Sequence, residues 1–437
     1  MQVDKITLQD IGLFDNGENI GLASHLNFCK TNGGKAYLDS YLHKPLGSLT
    51  LIEQRQSALK SFIKNIEQVD AMKISNGTCL IIEKFFETSF KTIPNQISYP
   101  GAYWYQFWNK ADYSLLKYSI EHFVVFIQNL KGWVAVFEKI NNNPVIEKLV
   151  TNISKLVAHT KFDAIDKNYK VNGPQEVLSL AYFLIYHFKT HTRSLLDYFY
   201  DLDALYSLAK AHTNYQFEFP NWMEDTKPFL KVSEAMHPLV HNAIGNDLTL
   251  STAKNFLFLT GANMAGKSTF IKTIGIVVYL SHIGIGAPAK KITLTVMDGL
   301  ITNLNIADNV VKGESYFYNE VQRIKNTVLK INDGKKNCVL IDELFKGTNI
   351  LDTMKCSTQV IEGLQKLRSS VFILSTHLYE ISEGLTKYDN IQFSYFETSV
   401  KDKQLHFQYH LTPGISQDRI GYHILEREGV VDLLNAL

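Results

Sequence analysis

No CxxC pair occurs in this sequence, and its four cysteines, Cys29, Cys79, Cys338 and Cys356, stand far apart. That spacing indicates neither a zinc site nor a disulfide framework, and a reducing compartment, the cytoplasm, fits it best. An excess of charge is missing as well. There are 44 Lys and Arg against 43 Asp and Glu, a formal net charge of +1, which excludes a histone-like polycation and an acidic tail protein. Any attraction to nucleic acid must therefore come from a local basic patch. Long apolar runs are also absent. His122 to Leu130 and Phe270 to Ile285 are too short or too interrupted to cross about 30 Å of hydrocarbon, so both read as buried helix and no membrane partner is expected. The opening MQVDKITLQDIGLFDNGENI lacks the apolar core and cleavage site of a signal peptide.

What is present is enough to fold: 437 residues, 45% hydrophobic and 12% aromatic, the length of about two or three domains. From Leu22 to about Leu230 apolar residues recur at three- and four-residue spacing. The plainest stripe runs through Asp112 to Ile140 as Leu115, Leu116, Ile120, Phe123, Ile127, Leu130, Val134 and Phe137, the pattern of a long packed helix. Tyr99, Tyr103, Trp104, Tyr105 and Trp108 form an aromatic cluster. Packing is the commoner role of such a cluster, and a base-stacking platform is the alternative.

After Pro238 the texture changes. Asn255 to Thr260, Asn337 to Ile341 and Ser370 to Leu374 are short apolar runs, each followed by a polar turn and then a helical pattern. This predicts an α/β domain with a largely parallel sheet from about residue 231, preceded by a mostly α-helical domain over 1–230.

The first of these strands runs into Gly261, Ala262, Asn263, Met264, Ala265, Gly266, Lys267, Ser268 and Thr269, a complete GxxxxGK[ST] phosphate loop. Glycines let the backbone wrap phosphates, helix N-terminal amides face the anion, Lys267 neutralises β/γ charge and the Ser268 hydroxyl ligates Mg²⁺. The second strand ends in Asp342 and Glu343, the one suited to the magnesium shell and the other to orienting or deprotonating water. His377 follows the third strand, where ligands of α/β sheets bind, and reads as a γ-phosphate sensor. Nucleotide and Mg²⁺ are thus the expected ligands.

These residues resemble the ATPase domain of the DNA mismatch-repair protein MutS and its relatives, within the ABC ATPase superfamily. The resemblance rests on ordered blocks: TGANMAGKST (260–269), HIGIGAPA (282–289), ADNVVKGESYFYNEV (307–321), LIDELFKGTN (340–349) and STH (375–377). Residues 396–434, with Ile420, Gly421 and Tyr422, look like the family's closing hairpin and helices. Thr31 to Leu38 and Leu42 to Leu46 resemble the start of its helical core. The resemblance implies an ABC-type P-loop ATPase domain over 231–437 with a C-terminal helical dimerisation segment, behind a core or lever domain. It also implies that Glu343, Lys267, His377 and Ser315 serve hydrolysis, Ser315 reaching the nucleotide of a partner subunit. Read from the residues alone, Ser315 after Gly313 and Glu314 is equally a helix cap.

Three departures stand out. Ala262 and Ala265 replace the family's usual Pro and Gly, Glu314 and Tyr316 flank Ser315 where Arg and Thr are usual, and Ala243 lies about where an adenine-stacking aromatic is expected. The motif order leaves no room for a wedge-bearing or connector domain, and no Smr domain follows. A short MutS-related homodimer is therefore expected, acting on double-stranded or branched DNA in mismatch repair or a related process, with repair proteins as possible partners. Lys148, Lys155, Lys161, Lys167 and Lys170 are candidate DNA contacts or simply a solvated helix face. The other functions weighed are an ATP-switched scaffold that does not bind DNA and a transport-type ABC cassette. The cassette is disfavoured because GESYF stands in place of an LSGGQ-like signature.

Overall fold

The computed structural model describes every residue except 18, 72, 96, 139–142, 305–315, 402–403, 417–425, 427–428 and 436–437. Two compact units divide the chain, one made of Met1–His25, Lys44–Ile52 and Asn214–Leu437, the other of Leu26–His43 and Glu53–Thr213. Where the sequence suggests a single cut near residue 231, the units interleave, because the first residues supply a strand and a helix to the sheet of the first unit. That strand is β1 (Gln2–Val3), followed by α1 (Lys5–Asp10) and α2 (Leu22–His25). The buried Asp10 carboxylate ties them down: it accepts from Thr302 Oγ1 at 2.7 Å and from the Leu304 amide at 3.1 Å, and pairs with Arg323 at 2.6 Å.

The second unit is helical: α3 (Asn32–His43), α4 (Leu49–Lys64, from Glu53 on), α5 (Ile66–Asp70), α6 (Asn76–Glu87), α7 (Tyr99–Trp108), α8 (Lys110–Phe137), α9 (Pro144–Val157), α10 (Gly173–Phe183) and α11 (Lys189–Asn214, up to Thr213). The α8 stripe is buried through Leu116, Ile120, Phe123, Ile127, Leu130, Val134 and Phe137, whereas Leu115 faces out. Adjacent residues on a helix point about 100° apart, and Leu116 takes the inward place. The α9 helix starts where Asn143 accepts from the amides of Val145 and Ile146, with Pro144 in the first turn, a favourable cap. Gly34 is required by close approach: a Cβ there would lie 2.1 Å from Oδ2 of Asp203. That buried carboxylate accepts from the amides of Lys30 and Thr31, each at 2.9 Å.

Apart from Tyr105, which is half-buried, the aromatic cluster does not pack inward, which corrects the commoner reading. Tyr99, Tyr103, Trp104 and Trp108 are exposed, Trp104 by 65% and Trp108 by 68%. Among the ten residues of α7 only Ala102 is buried. One small inward side chain leaves the helix shallowly seated, with its large rings in solvent.

The first unit is mixed α/β. Its remaining elements are β2 (Asn221–Met223), β3 (Phe229–Ala235), β4 (Asn246–Ser251), β5 (Phe256–Thr260), α12 (Lys267–Ile283), β6 (Lys291–Thr295), β7 (Gly299–Asn303), α13 (Tyr316–Ile331), β8 (Asn337–Asp342), α14 (Ile350–Leu364), β9 (Val371–Ser375), α15 (Ile381–Leu385), β10 (Ile391–Lys401), β11 (Gln404–Pro413) and α16 (Val430–Asn435). Among the described residues one sheet has the order β1-β7-β8-β9-β5-β10-β11 and is parallel except for the β10–β11 hairpin. A smaller sheet runs β2-β6-β3-β4.

Strands β5, β8 and β9 are apolar without alternation because both faces are covered. Val339 and Ile341 pack with Phe256, Phe258 and Phe372 in the core that includes Ile324 of α13 and Ile361 of α14. Leu340, on the other face, touches α12: a Cβ on Gly275 would come within 3.0 Å of it. Buried on nearly every side, α12 is the core helix its composition predicts. No helix among the described residues is long and apolar enough to cross a membrane.

Candidate functional site

Strands β8, β9 and β5 are neighbours and parallel, so the segments leaving their carboxyl ends meet at one edge of the sheet. Gly261, Asp342 and His377 belong to those three segments. The loop after β5 turns on left-handed backbone at Met264 (φ 69°) and Gly266 (φ 104°), and Gly261 has φ 134°. At Gly261 a Cβ would also stand 3.2 Å from the Phe396 carbonyl. Ala262 and Ala265 are not in that strained region, which is why alanine is accommodated at both.

Gly266 caps α12, and the first amides of that helix point at whatever occupies the loop, an arrangement suited to an anion. Lys267, buried at the start of the helix, donates to the carbonyls of Gly261 at 2.7 Å and Ala262 at 2.9 Å. Burial lowers its pKa, opposed by the carboxylates of Glu343 and Asp342. The Ser268 hydroxyl donates to Asp342, whose other oxygen accepts from Ser375 at the end of β9.

Beyond β8 the chain turns sharply, with Glu343 at φ 53° and Phe345 at φ 59°. The Glu343 amide donates to the Ser375 carbonyl at 3.0 Å. Its carboxylate lies 3.1 Å from the Lys346 ammonium and 3.7 Å from His377 Nδ1. Burial raises the Glu343 pKa, but the imidazole and the ammonium outweigh burial and hold it down at about 2. The turn is clamped from α13, where buried Glu320 accepts from the amides of Lys346 at 3.0 Å and Gly347 at 3.1 Å.

A cavity of about 600 Å³ opens beside the loop, walled by residues 240–244 on one side and by Phe396 and Tyr409 on the other. Asn246 joins the walls: it donates to the Tyr409 carbonyl at 3.1 Å and accepts from the Leu411 amide at 2.7 Å. The Tyr409 ring reaches the loop, 3.2 Å from where a Gly266 Cβ would sit. The aromatic surface that Ala243 cannot supply is therefore present on β11.

Of the residues singled out in the sequence, Lys267, Ser268, Asp342, Glu343 and His377 are brought together. Ser315, with Gly313 and Glu314, lies outside the described residues, as do Ile420, Gly421 and Tyr422. Lys346 and Glu320 stand inside two of the quoted blocks, 340–349 and 307–321, without a residue type or spacing that singles them out there, and Tyr409 lies outside every block. Their roles arise from a turn, a helix start and a hairpin that only the tertiary fold brings to the site.

The sequence that carries these residues is similar to known proteins. The family model of MutS domain V matches residues 257–433. A DNA mismatch repair protein MutS of Pseudothermotoga lettingae is 30% identical over 234 residues, 53% of this chain and 28% of that protein. That of Thermotoga maritima is 30% identical over 251 residues, 56% and 31% respectively, and that of Anaplasma phagocytophilum is 30% identical over 227 residues, 51% and 27%. The matched stretch thus spans less than a third of the length of each of these relatives.

Proposed function

We propose, on the premise that the chain is a MutS-related protein, that it is a P-loop ATPase of the ABC type which couples Mg-ATP hydrolysis to work on DNA. The observation that carries this reading is the convergence of the Lys267 loop, the Ser268–Asp342 contact and the Glu343–Lys346–His377 cluster at one sheet edge. Loop amides and Lys267 bind the β- and γ-phosphates, and Lys267 gives up its contacts to the loop carbonyls in doing so. Tyr409 offers its ring to the base.

Ser268 and Asp342 would hold Mg²⁺, which neutralises phosphate charge when bound. No group of three or more His, Cys, Asp or Glu among the described residues could cage a metal alone. Two hard oxygen donors completed by phosphates are what this ion accepts. Glu343 orients the attacking water and accepts its proton, and His377 senses the γ-phosphate. By resemblance, Ser315 of one chain completes the site of a second, so that ATP promotes a homodimer, and double-stranded or branched DNA is the partner.

The purified chain should hydrolyse ATP only with Mg²⁺, sediment as a dimer when ATP is present, and change its turnover on adding duplex or four-way-junction DNA. A chain that binds no nucleotide under these conditions is not an ATPase of this kind.

A further inference from the structure

The outward face of α8 is continuous. Lys117, Tyr118, Glu121, Val125, Asn129 and Ala135 recur on it at helical spacing, and from Ser114 to Val136 it extends about 30 Å. Its two ends are different. At the amino end α7 and α8 together line a hollow of about 990 Å³ with Tyr103, Trp104, Phe107, Trp108 and Tyr118. The indoles of Trp104 and Trp108 lie within 17° of parallel, their centroids 6.3 Å apart, and Lys110 stands 5.7 Å over Phe107.

At the carboxyl end the same face floors a groove of about 1630 Å³, lined by Lys60, Lys64, Lys73, Lys131 and Lys167 against one carboxylate, Asp166. Five lysines against one acid is a strong local field in a chain of net charge +1. The Lys131 ammonium is held by the carbonyls of Phe162 and Ile165, at 2.7 and 3.1 Å. Lys64, Lys73 and Lys167 enter no ion pair among the described residues. Between the cations the groove presents Ser61, Asn65 and Gln68; the Ser61 hydroxyl donates to the Ser57 carbonyl at 3.1 Å and Asn65 to the Ser61 carbonyl at 2.8 Å, which leaves the Gln68 amide and the second N–H of Asn65 as donors suited to phosphate oxygens.

We infer that this face of α8 is a track for single-stranded DNA, its phosphates in the lysine groove and its bases stacked on the α7–α8 aromatics. The inference rests on the reading above that the chain works on DNA; beside the double-stranded or branched partner proposed there, it adds a single strand, held more tightly on this face. A basic groove combined with exposed rings is what binds a single strand, because every base has a π-face to stack while the groove follows the backbone. In a duplex the bases are already stacked on one another and cannot lie on Trp104 or Trp108, so only the groove would contribute. An anionic membrane would engage the rings, but a flat headgroup surface does not enter a concave groove.

The test uses the full chain, titrated by fluorescence anisotropy with oligo-dT of about 30 nucleotides, with duplex of equal length and with phosphatidylglycerol vesicles, over a salt series. Single strand should bind at least about tenfold tighter than duplex. Replacing the rings in Trp104→Ala/Trp108→Ala should weaken single-strand binding about tenfold or more while leaving duplex binding nearly unchanged. Reversing the groove in Lys64→Glu/Lys73→Glu/Lys167→Glu should weaken both and lower the slope of log K against log salt by about 2. All five side chains are exposed, and unchanged ATP turnover and melting would show that the variants are folded.

Equal affinity for duplex, no effect of the tryptophan pair, or binding to vesicles alone would overturn the track. Turnover of ATP with duplex binding but no single-strand preference would sink this inference and leave the proposed function standing. Failure to bind nucleotide or any DNA would remove both.

Discussion

Glu343 is ionised at any ordinary pH, and the reason lies in two neighbours. With its pKa held at about 2 by His377 and Lys346 against burial, the carboxylate is ionised but a weak base, able to orient water at once and to accept its proton only as Lys346 turns away. Lys346 therefore restrains the residue it contacts. Its ammonium, 3.1 Å away, is long and mobile enough to turn toward a phosphate, and each step away from Glu343 raises the basicity of the carboxylate.

Lys346→Met should move the Glu343 pKa up toward its ordinary 4.5, which a ¹³C titration of the side-chain carboxyl would read. The sign for stability follows. A depressed carboxylate stabilises the folded state above its unfolded pKa and loses that contribution as pH falls from about 4.5 to 2, so the variant should lose less stability than the parent across that window. An unchanged titration would mean that Lys346 does not govern Glu343.

Among the elements, α12 joins the phosphate-type loop at its start to the small sheet at its end, and His282 makes the second connection. It is fully buried, its Nδ1 donates to the Val278 carbonyl at 2.7 Å, and its Nε2 accepts from the Met297 amide at 2.9 Å. Burial holds its pKa down at about 4. The unfolded chain therefore takes up a proton that the folded one refuses, and stability contributed above pH 6.5 is lost as pH falls toward 4, up to about 3 kcal/mol. Urea unfolding followed by tryptophan fluorescence, to which Trp222 contributes from 5.3 Å away, should show this slope. In His282→Gln the fold is weaker overall and the slope between pH 6.5 and 4 is flatter. A slope equal to the parent's would assign the acid sensitivity elsewhere.

Which elements were legible follows the range of their causes. Strands β5, β8 and β9 announce themselves because a strand covered on both faces must be apolar throughout, and the motif residues follow them directly. The edge strand β1 has two residues and owes its place to Asp10, paired with Arg323 over 300 positions away. Local periodicity cannot report that. The exposure of the α7 rings is hidden for a related reason: composition counts aromatic residues, but only the depth at which Ala102 seats the helix decides whether they are covered.

For the molecule as a whole, two kinds of surface coexist. In one unit residues 257–433 match the MutS domain V model, and the other carries a groove lined by five lysines and one carboxylate in a chain of net charge +1. Lys148, Lys155, Lys161 and Lys170 are also exposed, yet of the lysines singled out in the sequence only Lys167 lines the groove. Concavity, which primary structure does not display, separates that one from a solvated face. The proposed ATP site in the first unit and the proposed DNA track in the second share no residue, so each binding should be removable without the other.

The central claim, that the sheet edge both binds and hydrolyses ATP, is tested most directly by measuring nucleotide affinity and multiple-turnover rate for Lys267→Ala and Glu343→Gln side by side. Lys267→Ala should lose affinity, since its ammonium meets phosphate. Glu343→Gln should keep affinity and lose about 10²-fold or more in turnover, since it removes the acceptor for the water's proton. Parent-like turnover in Glu343→Gln, or undiminished affinity in Lys267→Ala, would contradict the assignment.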